Sequence, residues 1–392
     1  MGEAPFKVGG AVEPPYFVGR EDELEKLSGD LRGLTQNNLI LAPRRYGKSS
    51  LLHNLRLRVK DERDLLVPYV NCREMASYTD FYRITIAALL SEYERKRKRK
   101  IAGLWANFKG IFKERILRAA QRLDEIGGSI GELGKVYLKF REKEADEKEL
   151  VRAAFRFYRE LAEEKGLRIV LLLDEFQEIA TFDDYIFNLL KKELDLPSRV
   201  RYFFSGSSMS MLAEIFLRED SPLYLMVAKH HMEPLGMEEV IDFVRERFKV
   251  VDISIDEEAA ELFHGLTGGI PFYIQKLGLI AFQGALLKGR GKIGDEEVKS
   301  AFTAMLDELD GEFEVRWLSR FSNQQRRILK TLADLGEARL TDIAAQMGCK
   351  PSDISSSIIR LKEMMILAKG ENGRYSVVDR VFHAWLARER SE

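Results

Sequence analysis

The 392-residue chain reads as an α/β protein, a parallel sheet with helices on both faces that leads into a helical lid and then a winged-helix section. Three observations predict this. Two short apolar runs, 39–41 and 168–173, end respectively in a basic, glycine-containing turn and in a pair of carboxylates, as expected of buried parallel strands whose C-terminal ends carry function. Amphipathic segments of helical period separate them. From 236 onward the apolar period stays helical until a short hairpin near the C-terminus.

The first run belongs to Leu39-Ile40-Leu41-Ala42-Pro43-Arg44-Arg45-Tyr46-Gly47-Lys48-Ser49-Ser50, a strand, a turn and a helix start in the order of the P-loop pattern, with Ala42 where that pattern has its first glycine. Backbone N–H groups of such a turn and the positive end of the following helix cradle phosphates. Lys48 is placed to set its ammonium between the β- and γ-phosphates of ATP, and the Ser49 hydroxyl to ligate Mg²⁺. A Cβ at position 42 is tolerable if φ stays negative, whereas Gly47 is expected to abut the phosphate. A plain basic turn before an amphipathic helix shares the composition but has no need of this order.

The second run, Arg168-Ile169-Val170-Leu171-Leu172-Leu173-Asp174-Glu175, supplies acids. Asp174 is expected to hold Mg²⁺ through a water, and Glu175 to polarise the water that attacks the γ-phosphate. Surface acids end many buried strands, so the pair gains its meaning from the loop that precedes it. A third strand, 200–204, ends in Ser205-Gly206-Ser207-Ser208, whose hydroxyls can face the γ-phosphate or the attacking water; a helix N-cap by Ser207 or Ser208 is equally compatible. Lys48, Glu175 and Ser205 are thus the candidate catalytic side chains.

Elsewhere the residues place elements in order. Positions 1–15 contain glycines and prolines without periodicity and read as a flexible arm. The segment 16–235 is the expected nucleotide core, with a helix carrying Leu24, Leu27, Leu31 and Leu34 and a strand over 65–70. A charged helical insertion covers about 76–150 and contains Arg95-Lys96-Arg97-Lys98-Arg99-Lys100, followed by Ile101, Leu104, Trp105, Phe108, Ile111 and Phe112. A basic run is ordinarily a solvated helix face; the alternatives are a nucleic-acid, anionic-membrane or protein contact. The lid, 236–318, is expected to hold helices at 237–248, 256–266, 272–287 and 295–309, with Gly268-Gly269-Ile270-Pro271 as a capped turn. In 319–392, helices at 324–335, 340–347 and 351–364 and a hairpin about Gly370–Gly373 follow a winged-helix plan, with Lys350, Arg360 and Lys362 near the third helix but Ser355, Ser356 and Ser357 where strong base readers carry longer side chains.

Composition sets the compartment. Lysine plus arginine number 62 against 63 acids, so global charge favours neither a polyanion nor a membrane as partner. Two distant cysteines, Cys72 and Cys349, support neither a disulfide framework nor a cysteine metal site. With no apolar leader or membrane-length run, a cytoplasmic protein is expected.

Together these segments resemble the archaeal ATPase family of STAND and AAA+ P-loop ATPases. The resemblance rests on Phe17-Val18-Gly19-Arg20-Glu21, Pro43-Arg44-Arg45-Tyr46-Gly47-Lys48-Ser49-Ser50, Leu173-Asp174-Glu175-Phe176, Ser205-Gly206-Ser207-Ser208 and Gly269-Ile270-Pro271, and omits only the basic insertion. It implies that Phe17 and Val18 border the adenine, that Arg20 and the loop 43–50 contact nucleotide, and that Gly269 and Pro271 couple nucleotide to lid position. Ser221-Pro222-Leu223-Tyr224-Leu225-Met226 departs from a family segment that commonly ends Tyr-Gly-Arg, so an arginine sensor is missing there; Lys276 is the nearest cation after Pro271. Because a cation facing the γ-phosphate is worth about 10³–10⁵ in rate, slow turnover is expected. Arg44, Arg45, Arg199, Arg201 and Arg218 are the remaining finger candidates.

Three functions fit. An ATP-driven switch that repositions lid and winged helix leads. A DNA-binding ATPase of replication, mobile-element or defence type is second, and a non-hydrolysing scaffold that holds ADP is third. An oligomer is compatible with each.

Overall fold

The structure, a computed structural model, describes residues 4–97 and 147–388. Most of the inserted segment, including Lys98, Arg99, Lys100 and Trp105, lies outside the described residues. The chain divides into two compact units, Asp22–Ala42 with Leu51–His231, and Met1–Glu21 with Pro43–Ser50 and Met232–Glu392. This grouping differs from the expected succession of core, lid and C-terminal section, because 1–21 and the turn 43–50 join the C-terminal part of the chain.

The first unit is built on a parallel sheet of β1 (Asn38–Leu41), β2 (Leu65–Leu66), β3 (Tyr69–Asn71), β4 (Arg168–Asp174), β5 (Val200–Gly206) and β6 (Ala228–His231), ordered β2-β4-β5-β1-β6 with β3 also on β4. Ile169, Leu171 and Leu173 on β4 belong to one apolar core, while Val170 and Leu172, which alternate with them, are fully buried on the opposite face. Burial on both faces is why β4 is an unbroken apolar run. The single strand expected over 65–70 is two, since Pro68 lacks an N–H; its carbonyl accepts from Leu172 N at 2.9 Å. Leu41 pairs with Gly206 and Asn71 with Asp174, so β1, β3, β4 and β5 end at one sheet edge.

Helices α1 (Glu21–Gly33), α2 (Lys48–Arg58), α3 (Tyr78–Arg97), α4 (Glu147–Lys165), α5 (Tyr185–Asp195) and α6 (Met209–Phe216) complete this part, save that Glu21 and the first three residues of α2 group with the other unit. Leu24, Leu27 and Leu31 face the core from α1, while Leu34 lies beyond its end. The basic run is no uniform solvated face: Arg95 pairs with Glu92, and Lys96 turns inward to donate to the carbonyls of Val59, Glu62 and Leu65 at 2.8, 3.1 and 2.6 Å.

The second unit holds α7 (Met237–Lys249), α8 (Glu257–Thr267), α9 (Pro271–Leu287) and α10 (Asp295–Arg320), with a two-stranded parallel pair β7 (Ser254–Ile255) and β8 (Lys292–Ile293). α10 runs well past 309 because Phe313 and Trp317 extend its buried stripe. Then follow α11 (Asn323–Leu335), α12 (Leu340–Gln346), α13 (Pro351–Glu363), the antiparallel hairpin β9 (Leu367–Lys369) and β10 (Tyr375–Val377), and α14 (Arg380–Arg388), a helix the sequence reading had not placed. Ser322 opens α11 with a reciprocal cap, its Oγ accepting from Gln325 N and its N–H donating to Gln325 Oε1.

The flexible arm expected over 1–15 is corrected for its described part. Phe6 is 2% exposed, its ring centroid 4.9 Å from Phe248 and 6.0 Å from Phe243. A Cβ on Gly278 would come within 2.5 Å of that ring, so α9 carries glycine where the arm lies down. Arg247 Nε donates to Pro5 O at 2.6 Å and Lys7 N to Gln275 Oε1 at 3.0 Å. One buried aromatic and these polar contacts outweigh the arm's weak local propensity.

Candidate functional site

The acidic end of β4 is fully dressed. Asp174 is 2% exposed; its Oδ2 accepts the Tyr69 hydroxyl at 2.8 Å, and its Oδ1 accepts the Ser205 hydroxyl and the Glu175 N–H, the latter at 3.0 Å. Ser205 therefore acts on Asp174 here. Glu175 follows in the left-handed region, at φ 52° and ψ 43°, a costly backbone for a non-glycine residue that turns its side chain out of the strand direction. Its Oε2 accepts from Ser207 Oγ at 2.8 Å and from Gln177 Nε2 at 2.5 Å, and its Oε1 lies 3.4 Å from Arg73 Nη2. Ser207 is thus spent on Glu175, and Ser208, at the N-cap of α6, makes no side-chain cap bond. A Cβ on Gly206 would crowd the Gln177 amide, so glycine there leaves room for the side chain that holds Glu175. Beneath the pair, burial and then the charges of Asp174, Glu175 and Glu178 push the Cys72 thiol well up, which keeps it protonated and unreactive.

In the other unit the loop 43–50 is compact. Lys48 is 6% exposed and donates to Pro43 O at 2.9 Å, which folds its ammonium back over the turn. Ser49 and Arg44 are exposed. Ala42 is not among the residues with positive φ. Gly47 has φ 88° but, among the described residues, nothing within 4 Å of an added Cβ, so the dihedral alone demands glycine in the protein itself. Burial, with Asp379 and Glu233 nearby, pushes the Tyr46 phenol up to about 12.

Several expected nucleotide contacts use their side chains on the protein. Ser50 Oγ accepts from Val12 N at 3.1 Å. Arg20, 5% exposed, donates to Glu233 O at 2.6 Å. Arg45, with φ 77°, pairs with Glu312 at 2.5 Å and stacks among Phe272, Tyr273 and Phe313. Burial opposes its charge, yet Tyr273, Glu312 and Asp379 hold its pKa above the ordinary value. Phe17 and Val18 are half-buried. At the expected lid turn, Gly269 has φ 72°, a Cβ there would strike Leu235 O, and Leu235 N donates to Gly269 O at 2.9 Å; Pro271 starts α9. Phe272 N donates to Arg45 O at 3.3 Å, which joins loop and turn.

The finger candidates thin out. Arg201 is spent on the carbonyls of Leu34, Ser198 and Val200, at the start of β5 and so at the far edge from Asp174. Arg218 pairs with Asp220 at 2.5 Å. Leu225 stands 72% exposed at φ 60°. Arg73 was expected just past the strand over 65–70, at the phosphate edge of the sheet, though without a role; Tyr69 and Gln177 around the acids, and Tyr273, Glu312 and Asp379 around Arg45, were not expected there. Tyr69 left a local signal, a hydroxyl-bearing residue on the strand expected over 65–70.

A carboxylate and a hydroxyl are the hard oxygen donors that Mg²⁺ takes, and Asp174 and Ser49 are residues of that kind. Among the described residues no helix is long and apolar enough to cross a membrane.

Comparison with known proteins fits these features. The fold is that of P-loop AAA+ ATPases. It is similar to the Walker-type ATPase PABY2304 of Pyrococcus abyssi, with 18% identity, a TM-score of 0.71 and coverage of 97% of this chain and 99% of that one. The ORC2 protein of Aeropyrum pernix is similar in its ADPNP–ADP complexes, with 14% identity, a TM-score of 0.61 and coverage of 97% of each chain. Its ADP form gives 15% identity, a TM-score of 0.53 and coverage of 97% of each chain. None of the curated proteins matches the sequence. The model of an ATPase domain predominantly from Archaea matches residues 17–277, from the Phe17-Val18 segment through the loop, the acidic pair and the Gly269–Pro271 turn, and the chain belongs to that family.

Proposed function

We propose that the protein binds ATP with Mg²⁺, hydrolyses it slowly, and uses the bound nucleotide as a switch for the position of its lid and of a C-terminal winged helix formed by α11 to β10. The observation that carries the reading is the shared sheet edge: β1 leads directly into the loop before Lys48, and at the end of β4 every oxygen of the Asp174–Glu175 pair has a donor or cation. Lys48 would hold the terminal phosphates and Ser49 and Asp174 the metal, which when bound supplies charge neutralisation between phosphate oxygens. Glu175, aimed by Ser207, Gln177 and Arg73, would accept the proton of the attacking water. Ser205 would orient Asp174. Phe17 and Val18 would line the base. With leucine and methionine at 225 and 226, no arginine assists from that segment, which supports slow turnover.

Multiple-turnover phosphate release tests the chemistry: Glu175→Gln should keep ATP binding and lose about 10²–10⁴ in rate, the usual worth of a general base. No turnover by the unaltered protein would favour the ADP-holding scaffold. Limited proteolysis with an ATP analogue, with ADP and without nucleotide tests the switch, and three identical digests would refute it.

A second reading, DNA binding, rests on α13, which exposes Ser352, Ser356, Ile359, Arg360 and Lys362, with Lys369 and Arg374 exposed on the hairpin. Duplex affinity that falls steeply with salt would support it; no binding at low salt would dismiss it.

A further inference from the structure

We infer that Arg45 is a positioning residue that ties the phosphate loop to the C-terminal section through Tyr273 and Asp379, so that α14 reads the nucleotide state. This rests on the ATP-binding reading above. Arg45 Nη1 donates to the Tyr273 hydroxyl, which in turn donates to Asp379 Oδ2 at 2.8 Å. The other oxygen, Asp379 Oδ1, accepts the Phe382 N–H at 3.0 Å and so caps the first turn of α14. Arg316 lies 3.5 Å from the same carboxylate. The donors converge on one carboxylate: the guanidinium donates to the phenol and the phenol to Asp379 from one side, and the Phe382 N–H donates from the helix start on the other.

The surroundings make this chain hard to reroute. Tyr273 is fully buried, so a hydroxyl deprived of its partners could not turn to water. The Arg45 guanidinium lies 5.0, 4.9 and 5.3 Å from the ring centroids of Phe272, Tyr273 and Phe313, an aromatic surround in which the flat, delocalised cation of arginine is not replaced by the compact ammonium of lysine. Glu312 adds an ion pair at 2.5 Å from Nη2. Arg45 carries its positive φ two residues before Gly47, so a shift of the loop backbone must either carry the guanidinium along or pull it off Tyr273. The loop therefore has a discrete contact to keep or break, which a two-state coupling requires.

Hydrogen exchange of the amides of 380–388 in the full chain, with and without ADP and a non-hydrolysable ATP analogue, tests this. In the unaltered protein the two nucleotides should protect this helix differently. Tyr273→Phe, which removes one oxygen, should retain nucleotide affinity within about threefold, measured with a fluorescent ADP, and should erase the difference. Asp379→Asn and Arg45→Lys should erase it too. Unfolding curves verify that each variant folds, and Tyr273→Phe decides if the others do not. The inference is overturned if the unaltered helix responds equally to both nucleotides, or if Tyr273→Phe keeps the full difference. Failure of the unaltered protein to bind any nucleotide would instead overturn the ATP-binding reading, and this inference with it.

Discussion

Tyr69 crosses two parallel strands diagonally to reach Asp174: it pairs in register with Leu172, and its hydroxyl spans two residues further to Oδ2 at 2.8 Å. Leu172 and Asp174 share a strand face, which makes that diagonal possible. Tyr69→Phe removes the donor without changing the packing. Partners that orient a metal-binding carboxylate are typically worth 10–100-fold in metal affinity, so a Mg²⁺ titration of phosphate release should move to about tenfold higher concentration. An unmoved titration would relieve Tyr69 of this part.

Lys96 is anchored on three backbone carbonyls, two of them in the turn that follows α2. A cation at that place adds a charged donor to carbonyls that the turn's own N–H groups hold at 3.2 and 3.3 Å, and it complements the negative end of the helix dipole. Lys96→Met should cost about 1.5–3 kcal/mol in urea unfolding, the range for hydrogen bonds to a charged group. An ordinary solvated lysine would change stability by no more than about 0.5 kcal/mol.

Phe6 makes the opposite case to a loose arm. Phe6→Ala should destabilise the unit that contains it by about 3–5 kcal/mol, seen as an earlier thermal transition, because it empties a site lined by Phe243, Phe248 and Gly278. A transition that stays in place would mean the arm is dispensable to the fold.

What could be read from the sequence follows from the range of each interaction. The β1 turn and the β4 acids were legible because a doubly buried strand announces itself as an apolar run and the chemistry follows within a few residues. Arg45 was legible only as a phosphate-loop arginine, since its partner Tyr273 lies 228 residues away and the next link, Asp379, a further 106. Periodicity reports which face of an element is buried and never against what. Pro68 broke a strand that composition had joined. Gly311, exposed on α10, marked no helix end because Phe313 and Trp317 kept the stripe going. In α14, Val381, Phe382, Trp385 and Leu386 carry a helical stripe that the hairpin before them had obscured.

The left-handed backbone at Glu175 also governs which substitutions are informative. Valine, isoleucine and threonine strain that conformation through their branched Cβ, so in a saturation library at 175 they would lose about 1–3 kcal/mol of stability before any catalytic question is asked. Asparagine and glycine suit the dihedrals best and should survive as well-formed proteins, inert where Glu175 is the general base proposed above. A screen for activity alone would merge these two groups of impaired variants, and a parallel readout of soluble, folded protein is what separates chemistry from architecture at this position.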